Sequence, residues 1–151
     1  MRYLAIDYGN KRTGLAICDA GETIASPLTV IHGQTDLLTK ITDIVEAEKV
    51  EAIVLGLPLN MDDSEGPQAL LTRKFASRLA AAAAACTPPI DVRLWDERLS
   101  SFAADQSLAG HLTRGKRRQR QDALAAANIL GDFLANEGPA RAARPDDISP
   151  A

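Results

Sequence analysis

Four acidic residues stand where a carboxylate is either costly or useful. Asp7 ends the apolar run from Arg2 to Ile6 and shares alternate positions with Tyr3 and Ala5. On a strand, that alternation puts it on a face otherwise expected to be buried. A carboxylate there is costly unless it is paired, hydrogen-bonded or bound to a metal; the other reading is an aspartate capping the turn that follows. Asp122 falls in one helical stripe with Ala125, Ala126, Ile129 and Phe133, at the top of the face that should meet a sheet. Its alternative is a helix N-cap, although position 125 carries Ala and not the Glu or Gln of a capping box. Asp96 and Glu97 follow the last strand-like run, at the strand end where α/β folds place their chemistry. One of that pair is expected to cap the next helix, leaving the other for a different role. Three carboxylates from distant elements are what a two-magnesium phosphodiesterase needs, because Mg²⁺ takes oxygen ligands and binds through few carboxylates plus substrate phosphates. His32 and His111 have neither ligand spacing nor acidic neighbours, so zinc is not expected.

Positive charge gathers beside these acids. Arg114, Lys116, Arg117, Arg118 and Arg120 lie just before Asp122, and Lys11 and Arg12 lie just after Asp7. A charge run is usually a solvated surface, but this one departs from an acidic whole with net charge −3. Both groups are placed to grip phosphates on either side of a scissile bond, with Arg better suited to bidentate contact. Aromatic residues make up only 4% of the chain, too few for a base-stacking platform for single strands, and Trp95 reads as strand-end packing.

The elements that must position these groups follow from periodicity. Arg2 to Ile6, Thr13 to Cys18 and Thr23 to Ile31 are short apolar or β-branched runs separated by glycine-containing breaks, the pattern of an antiparallel meander. Leu37, Ile41, Ile44 and Val45 recur at helical spacing after Asp36, a candidate N-cap, and predict a helix to about Glu48. Ala52 to Leu57 is a continuous apolar run, as in a fully buried strand. Beyond the polar loop 60–66, Leu71, Phe75 and Leu79 mark one stripe of a second helix that Pro88 and Pro89 stop. Ile90 to Trp95 reads as the last strand and Leu99 to Leu108 as a helix ended by Gly110. Arg114 to Gln121 reads as a polar connector and Asp122 to Leu134 as the final helix. The order β-β-β-α-β-α-β-α defines an α/β domain with a mixed sheet over residues 1–136. Residues 137–151, with three prolines and little apolar content, are expected to form a disordered tail.

Composition bounds the rest. A chain of 151 residues that is 46% apolar and 25% charged is one ordinary domain with its own core. Cys18 and Cys86 show no metal or disulfide spacing, which fits a reducing, cytoplasmic compartment. Met1 to Gly9 reaches the charge of Asp7 too early for a signal peptide. The longest apolar run, Leu79 to Cys86, is far short of a membrane span. The sequence also lacks a GxxxxGK[ST] phosphate loop. Asp7-x-Gly9 with Gly14 is like the first phosphate loop of sugar kinases and actin-like ATPases, but those folds need two lobes and a second loop.

Four segments, in order, carry a resemblance: Ala5-Ile-Asp-Tyr-Gly-Asn-Lys-Arg-Thr-Gly-Leu-Ala, Val54-Leu-Gly-Leu-Pro-Leu-Asn-Met-Asp, Asp96-Glu-Arg-Leu-Ser and Asp122-Ala-Leu-Ala-Ala-Ala-Asn-Ile-Leu. From Leu4 to Leu134 the chain resembles the YqgF/RuvX family of RNase H-like proteins, described as Holliday-junction resolvases and as nucleases of pre-16S ribosomal RNA. Asp63 and Asn128 differ from the family's usual residues. The resemblance implies an RNase H-like five-stranded sheet flanked by helices. It also implies a metal site in which Asp7, Glu97 and Asp122 hold Mg²⁺ or Mn²⁺, as a pair of ions, for phosphodiester hydrolysis. Choosing Glu97 over Asp96 rests on the resemblance alone. The implied partners are structured RNA or branched DNA. A junction resolvase would work as a two-fold dimer, for which the sequence marks no surface. The competing reading is a nucleic-acid-binding module of the same fold without catalysis.

Overall fold

Alternating apolar residues on short β-branched strands and a 3.6-residue period on the helices produce three layers in the computed structural model. It describes residues 1–59, 62, 64–96 and 114–136, the stretch 114–122 as backbone only. The elements are β1 (Tyr3–Asp7), β2 (Arg12–Cys18), β3 (Ala25–His32), α1 (Leu37–Ala47), β4 (Ala52–Leu57), α2 (Pro67–Ala84), β5 (Asp91–Asp96) and α3 (Arg114–Ala135). The sheet order is β3-β2-β1-β4-β5. β1, β2 and β3 form the antiparallel meander, while β4 pairs parallel with β1 and β5 parallel with β4. Parallel pairing needs crossover helices, which α1 and α2 supply.

Strand alternation divides the core in two. Leu4, Ile6, Leu15, Ile53, Leu55, Val92 and Leu94 face α1 and α2, meeting Ile41, Val45, Phe75 and Leu79. Tyr3, Ala5, Ala16, Cys18, Ala52 and Val54 point the other way, onto Ala126, Ala127, Ile129, Leu130 and Phe133 of α3. This second layer is largely alanine against alanine, which lets α3 lie close across β1, β2 and β3.

The strand ends and those of α1 fall within one or two residues of the positions read from sequence, the usual uncertainty of element boundaries. Three local features differ. Arg114 to Gln121 is not a connector: α3 is one helix from Arg114 to Ala135, so position 122 is interior to it and is not an N-cap. Leu71 is 46% exposed, and the buried stripe of α2 runs instead through Ala69, Thr72, Phe75, Ala76, Leu79 and Ala83. Asp36 occupies the N-cap position of α1 but in the left-handed conformation, and its side chain makes no capping bond. The expected helix from Leu99 to Leu108 and the tail 137–151 lie outside the described residues. Among the described residues, no helix is long and apolar enough to cross a membrane.

The β2–β3 turn is organised by Asp19. Its carboxylate accepts hydrogen bonds from the backbone N–H groups of Thr23 and Ile24, both at 2.8 Å, and from the Thr23 hydroxyl at 2.6 Å. These donors hold its pKa far below the usual carboxylate range. A depressed pKa contributes stability that is present above the unfolded value of 3.8 and lost as the pH falls towards the folded one. Asp19→Ala should therefore lower the denaturation midpoint at pH 7. The difference from the parent chain should shrink as the pH drops below about 4. A deficit that stays constant down to pH 2 would mean the carboxylate charge is not what holds the turn.

Candidate active site

β1 delivers Asp7 to the carboxyl end of the sheet, on the face that α3 covers. The register makes this concrete. Asp7 lies opposite Gly14 of β2, and one step beyond the Ile6–Leu55 pair it comes level with Gly56 of β4, which pairs with Trp95 of β5. The positions level with this half-buried carboxylate on β2 and β4 are both glycines, so neither puts a side chain directly beside it. Trp95 closes the row, its ring set edge-on to Phe133 of α3 at 5.6 Å and 87°. This agrees with packing as the role of Trp95. Its indole Nε1 is buried with no acceptor among the described residues, which leaves a donor beside the row.

The loop after Asp7 is fixed from several directions. Gln34, between β3 and α1, donates from Nε2 to the carbonyls of Gly9 and Asn10 at 3.0 and 2.9 Å and accepts from the Tyr8 hydroxyl at 2.9 Å. Tyr8 stacks on Phe75 of α2, with ring centroids 4.1 Å apart and planes within 9° of parallel. Gly33 N–H donates to the Lys11 carbonyl at 2.8 Å. At Gly9 the chain passes so close to Arg12 that a Cβ would run into the Arg12 carbonyl oxygen. Since the obstacle is backbone, Gly9→Ala should cost about 1–3 kcal/mol through a forced backbone shift. Equilibrium urea denaturation should register this as a lower midpoint with an unchanged slope. A variant as stable as the parent would show that the loop has room to move.

Of the sequence-derived site residues, Asp7 is described in full and Asp122 by its backbone. Position 122 lies on α3 in register with the buried Ala126, Ile129 and Phe133. Phe133 packs edge-on against Tyr3 at 5.1 Å, so α3 runs from the carboxyl end of β1 towards its start. Glu97 lies outside the described residues. Asp96, the last residue of β5, pairs with Leu57. By strand alternation it belongs to the face of Leu94, which packs with α1 and α2. Asp7 and Asp96 therefore sit on opposite faces of the sheet. Among the described residues alone, no group of three His, Cys, Asp or Glu side chains could hold a metal.

The basic residues separate by position. Arg12 begins β2 and is half-buried on the α3 face, whereas Lys11 is exposed in the preceding loop. Arg114, Lys116, Arg117, Arg118 and Arg120 all belong to α3. Sequence reasoning passed over Gln34 and Asp132. Gln34 acts only through tertiary contact, and no local pattern marks it. Asp132 reads as part of the polar side of α3, yet burial pushes its carboxyl above the usual range.

The sheet order, its antiparallel and parallel halves and the helix laid across β1 to β3 define an RNase H-like α/β protein. Solved structures share that fold. RuvC of T. thermophilus in complex with a Holliday junction substrate superposes with a TM-score of 0.63 at 14% identity, covering 95% of this chain and 99% of that one. The fowlpox virus resolvase bound to Holliday junction DNA gives 0.58 at 10% identity, covering 91% and 99%. A family model described as RuvX, Holliday junction resolvase, matches residues 1–136. A relative from Anaeromyxobacter sp. (strain K), provisionally named a pre-16S rRNA nuclease, is 42% identical over 142 residues, 92% of this chain and 100% of its own length. One from Myxococcus xanthus (strain DK1622), with the same provisional name, is 39% identical over 152 residues, 97% of each chain. The chain belongs to the RuvX family.

Proposed function

We propose that the protein is a metal-dependent nuclease that hydrolyses phosphodiester bonds in structured nucleic acid. The observation that carries the reading is Asp7, a half-buried carboxylate at the end of β1 between two glycine positions, on the face that α3 covers. The rise of α3 from Phe133 back to position 122 is about 16 Å, and that of β1 from Tyr3 to Asp7 about 13 Å. With Phe133 against Tyr3, these lengths support a place for Asp122 near the level of Asp7. Asp96 falls on the face of the sheet opposite Asp7, which favours the neighbouring Glu97 as the third acid.

Asp7, Glu97 and Asp122 would hold the metal. The donor set fits a hard cation, because all three side chains offer carboxylate oxygen and none offers sulfur or imidazole. Bound there, Mg²⁺ or Mn²⁺ would supply a water of lowered pKa and charge for the leaving oxygen. The chain's own work is positioning: Arg12 and Lys11 on one side and the basic turns of α3 on the other grip phosphates and fix the scissile bond. The 8–11 loop, held by Gln34 and Tyr8, keeps Lys11, and Arg12 at the start of β2, in register with Asp7.

The names of the relatives and of the family suggest two substrates: precursor 16S ribosomal RNA, here proposed to be cut at its 5′ end, which would place the enzyme in the cytoplasm in ribosome biogenesis, and the Holliday junction. The deciding experiment offers both, labelled, to the full chain with Mg²⁺, Mn²⁺ or EDTA. Metal-dependent cleavage of either supports the reading and names the substrate. Binding to both without cleavage in any metal would make the protein a non-catalytic nucleic-acid-binding module.

A further inference from the structure

The end of the sheet away from Asp7 carries a groove that phosphodiester hydrolysis does not use. β1, β4 and β5 run parallel, and the residues that lead into them, Met1, Val50, Glu51 and Ile90, line a cavity of about 740 Å³. That volume is in the range of ligand-sized sites, and the length of β1, about 13 Å, separates it from the level of Asp7. Val45, Val50, Pro89 and Ile90 give it an apolar lining. Three acids, Asp43, Glu46 and Glu51, stand there against one lysine, Lys49.

The helices add to the same sign. α1 and α2 both end at this groove, and neither has a basic residue in its last turn, so the negative ends of two helix dipoles meet there. Asp43 and Glu46 lie about one turn apart on α1, and Glu46 stands in its last turn, where a negative charge is unfavourable. Among the described residues, neither carboxylate has an ion-pair or hydrogen-bond partner. Nor does any group of three His, Cys, Asp or Glu among them converge to hold a metal, and a bare ion would leave the apolar lining uncovered. An occupant that answers both features carries separated cations on an apolar body.

We propose that this groove docks a short basic segment of a partner protein, in which Lys or Arg residues alternate with apolar ones. The cations meet Asp43, Glu46 and the two helix ends, while the apolar side chains cover Val45, Val50 and Ile90. The opposite end of the sheet stays open, so one molecule can hold a protein and a nucleic acid at once.

The test titrates the full chain, without divalent metal, with a synthetic peptide alternating Lys and Leu. The same peptide with Ser for Leu, and spermidine, serve as comparisons. Affinity is read by anisotropy, and occupancy by the alkylation rate of Cys86, which lines the groove and is half-buried, whereas Cys18 is buried. The Lys-Leu peptide should bind, slow Cys86 alkylation and weaken as salt rises. D43N/E46Q should lower its affinity about five- to thirtyfold, as expected for two exposed ion pairs. That variant removes negative charge from the C-terminal half of α1, so it should melt no lower than the parent, and its loss is then one of contacts and not of fold. Asp7→Asn should bind the peptide like the parent. Undiminished binding by D43N/E46Q, or loss in Asp7→Asn instead, would overturn the proposal. Equal protection of Cys86 by spermidine or the Lys-Ser peptide would make the groove a site for small polyamines or for charge alone. Protection that grows with protein concentration without peptide, beside a dimer in sedimentation velocity, would assign it to a second copy of the chain. The nuclease proposal is untouched by any of these results, since it stands or falls on cleavage.

Discussion

Asp7→Asn should leave the protein folded and bring cleavage below detection. The change is nearly isosteric and removes one negative charge from a half-buried position, so the sheet has no steric reason to rearrange. The loss should exceed the roughly 10–100-fold that removing an outer-shell partner of a bound metal costs, because a direct ligand is lost. Binding in Ca²⁺ should survive, since Lys11, Arg12 and the cations of α3 remain. The measurement is a single-turnover cleavage rate beside a melting curve. A folded variant with full activity would end the metal-site proposal, whatever the protein binds.

Glu97→Gln and Asp96→Asn should separate cleanly. Glu97→Gln is expected to slow cleavage by more than about a hundredfold, as loss of a metal ligand should. Asp96→Asn should retain most of the activity, because residue 96 belongs to the α1 and α2 face, across the sheet from Asp7. Its effect should appear in the melting temperature. Metal titration gives a second readout: raised Mg²⁺ should partly rescue a weakened ligand set, but should not change an effect that comes from folding. An inactive, stable Asp96→Asn with a working Glu97→Gln would transfer the third ligand to residue 96.

The sheet was legible in the sequence because each strand carries its own signal: the uninterrupted apolar run of Ala52 to Leu57, or the β-branched stretch before His32. Alternation alone also puts Asp7 on its correct face, since Tyr3 and Ala5 share its parity and pack against α3. The basic run misled because charge density and Gly115 suggest a connector. Lys, Arg and Gln are in fact good helix formers, and one glycine in the first turn did not prevent a helix. Leu71 misled in another way. The stripe of α2 is set by Ala69, Thr72 and Ala76 beside Phe75 and Leu79, and small residues carry little weight in a hydrophobic pattern. The Gln34 latch had no sequence signal, because its bonds join segments separated by about 25 residues.

The alanine layer under α3 ties the spacing of the proposed ligands to the interior of the protein. Ala126 and Ala127 rest on Ala5, Ala16 and Ala52, and the same helix carries Asp122 towards the strand that carries Asp7. A methyl group added anywhere in that seam has no soft neighbour to absorb it, so the helix as a whole must lift. A displacement of about 1 Å can cost a hundredfold in rate, far more than the modest stability penalty of an overpacked core. Natural variation in the seam would thus be filtered by turnover before it was filtered by folding. Invariance of these alanines among functional relatives would mark them as the gauge that sets the active-site gap.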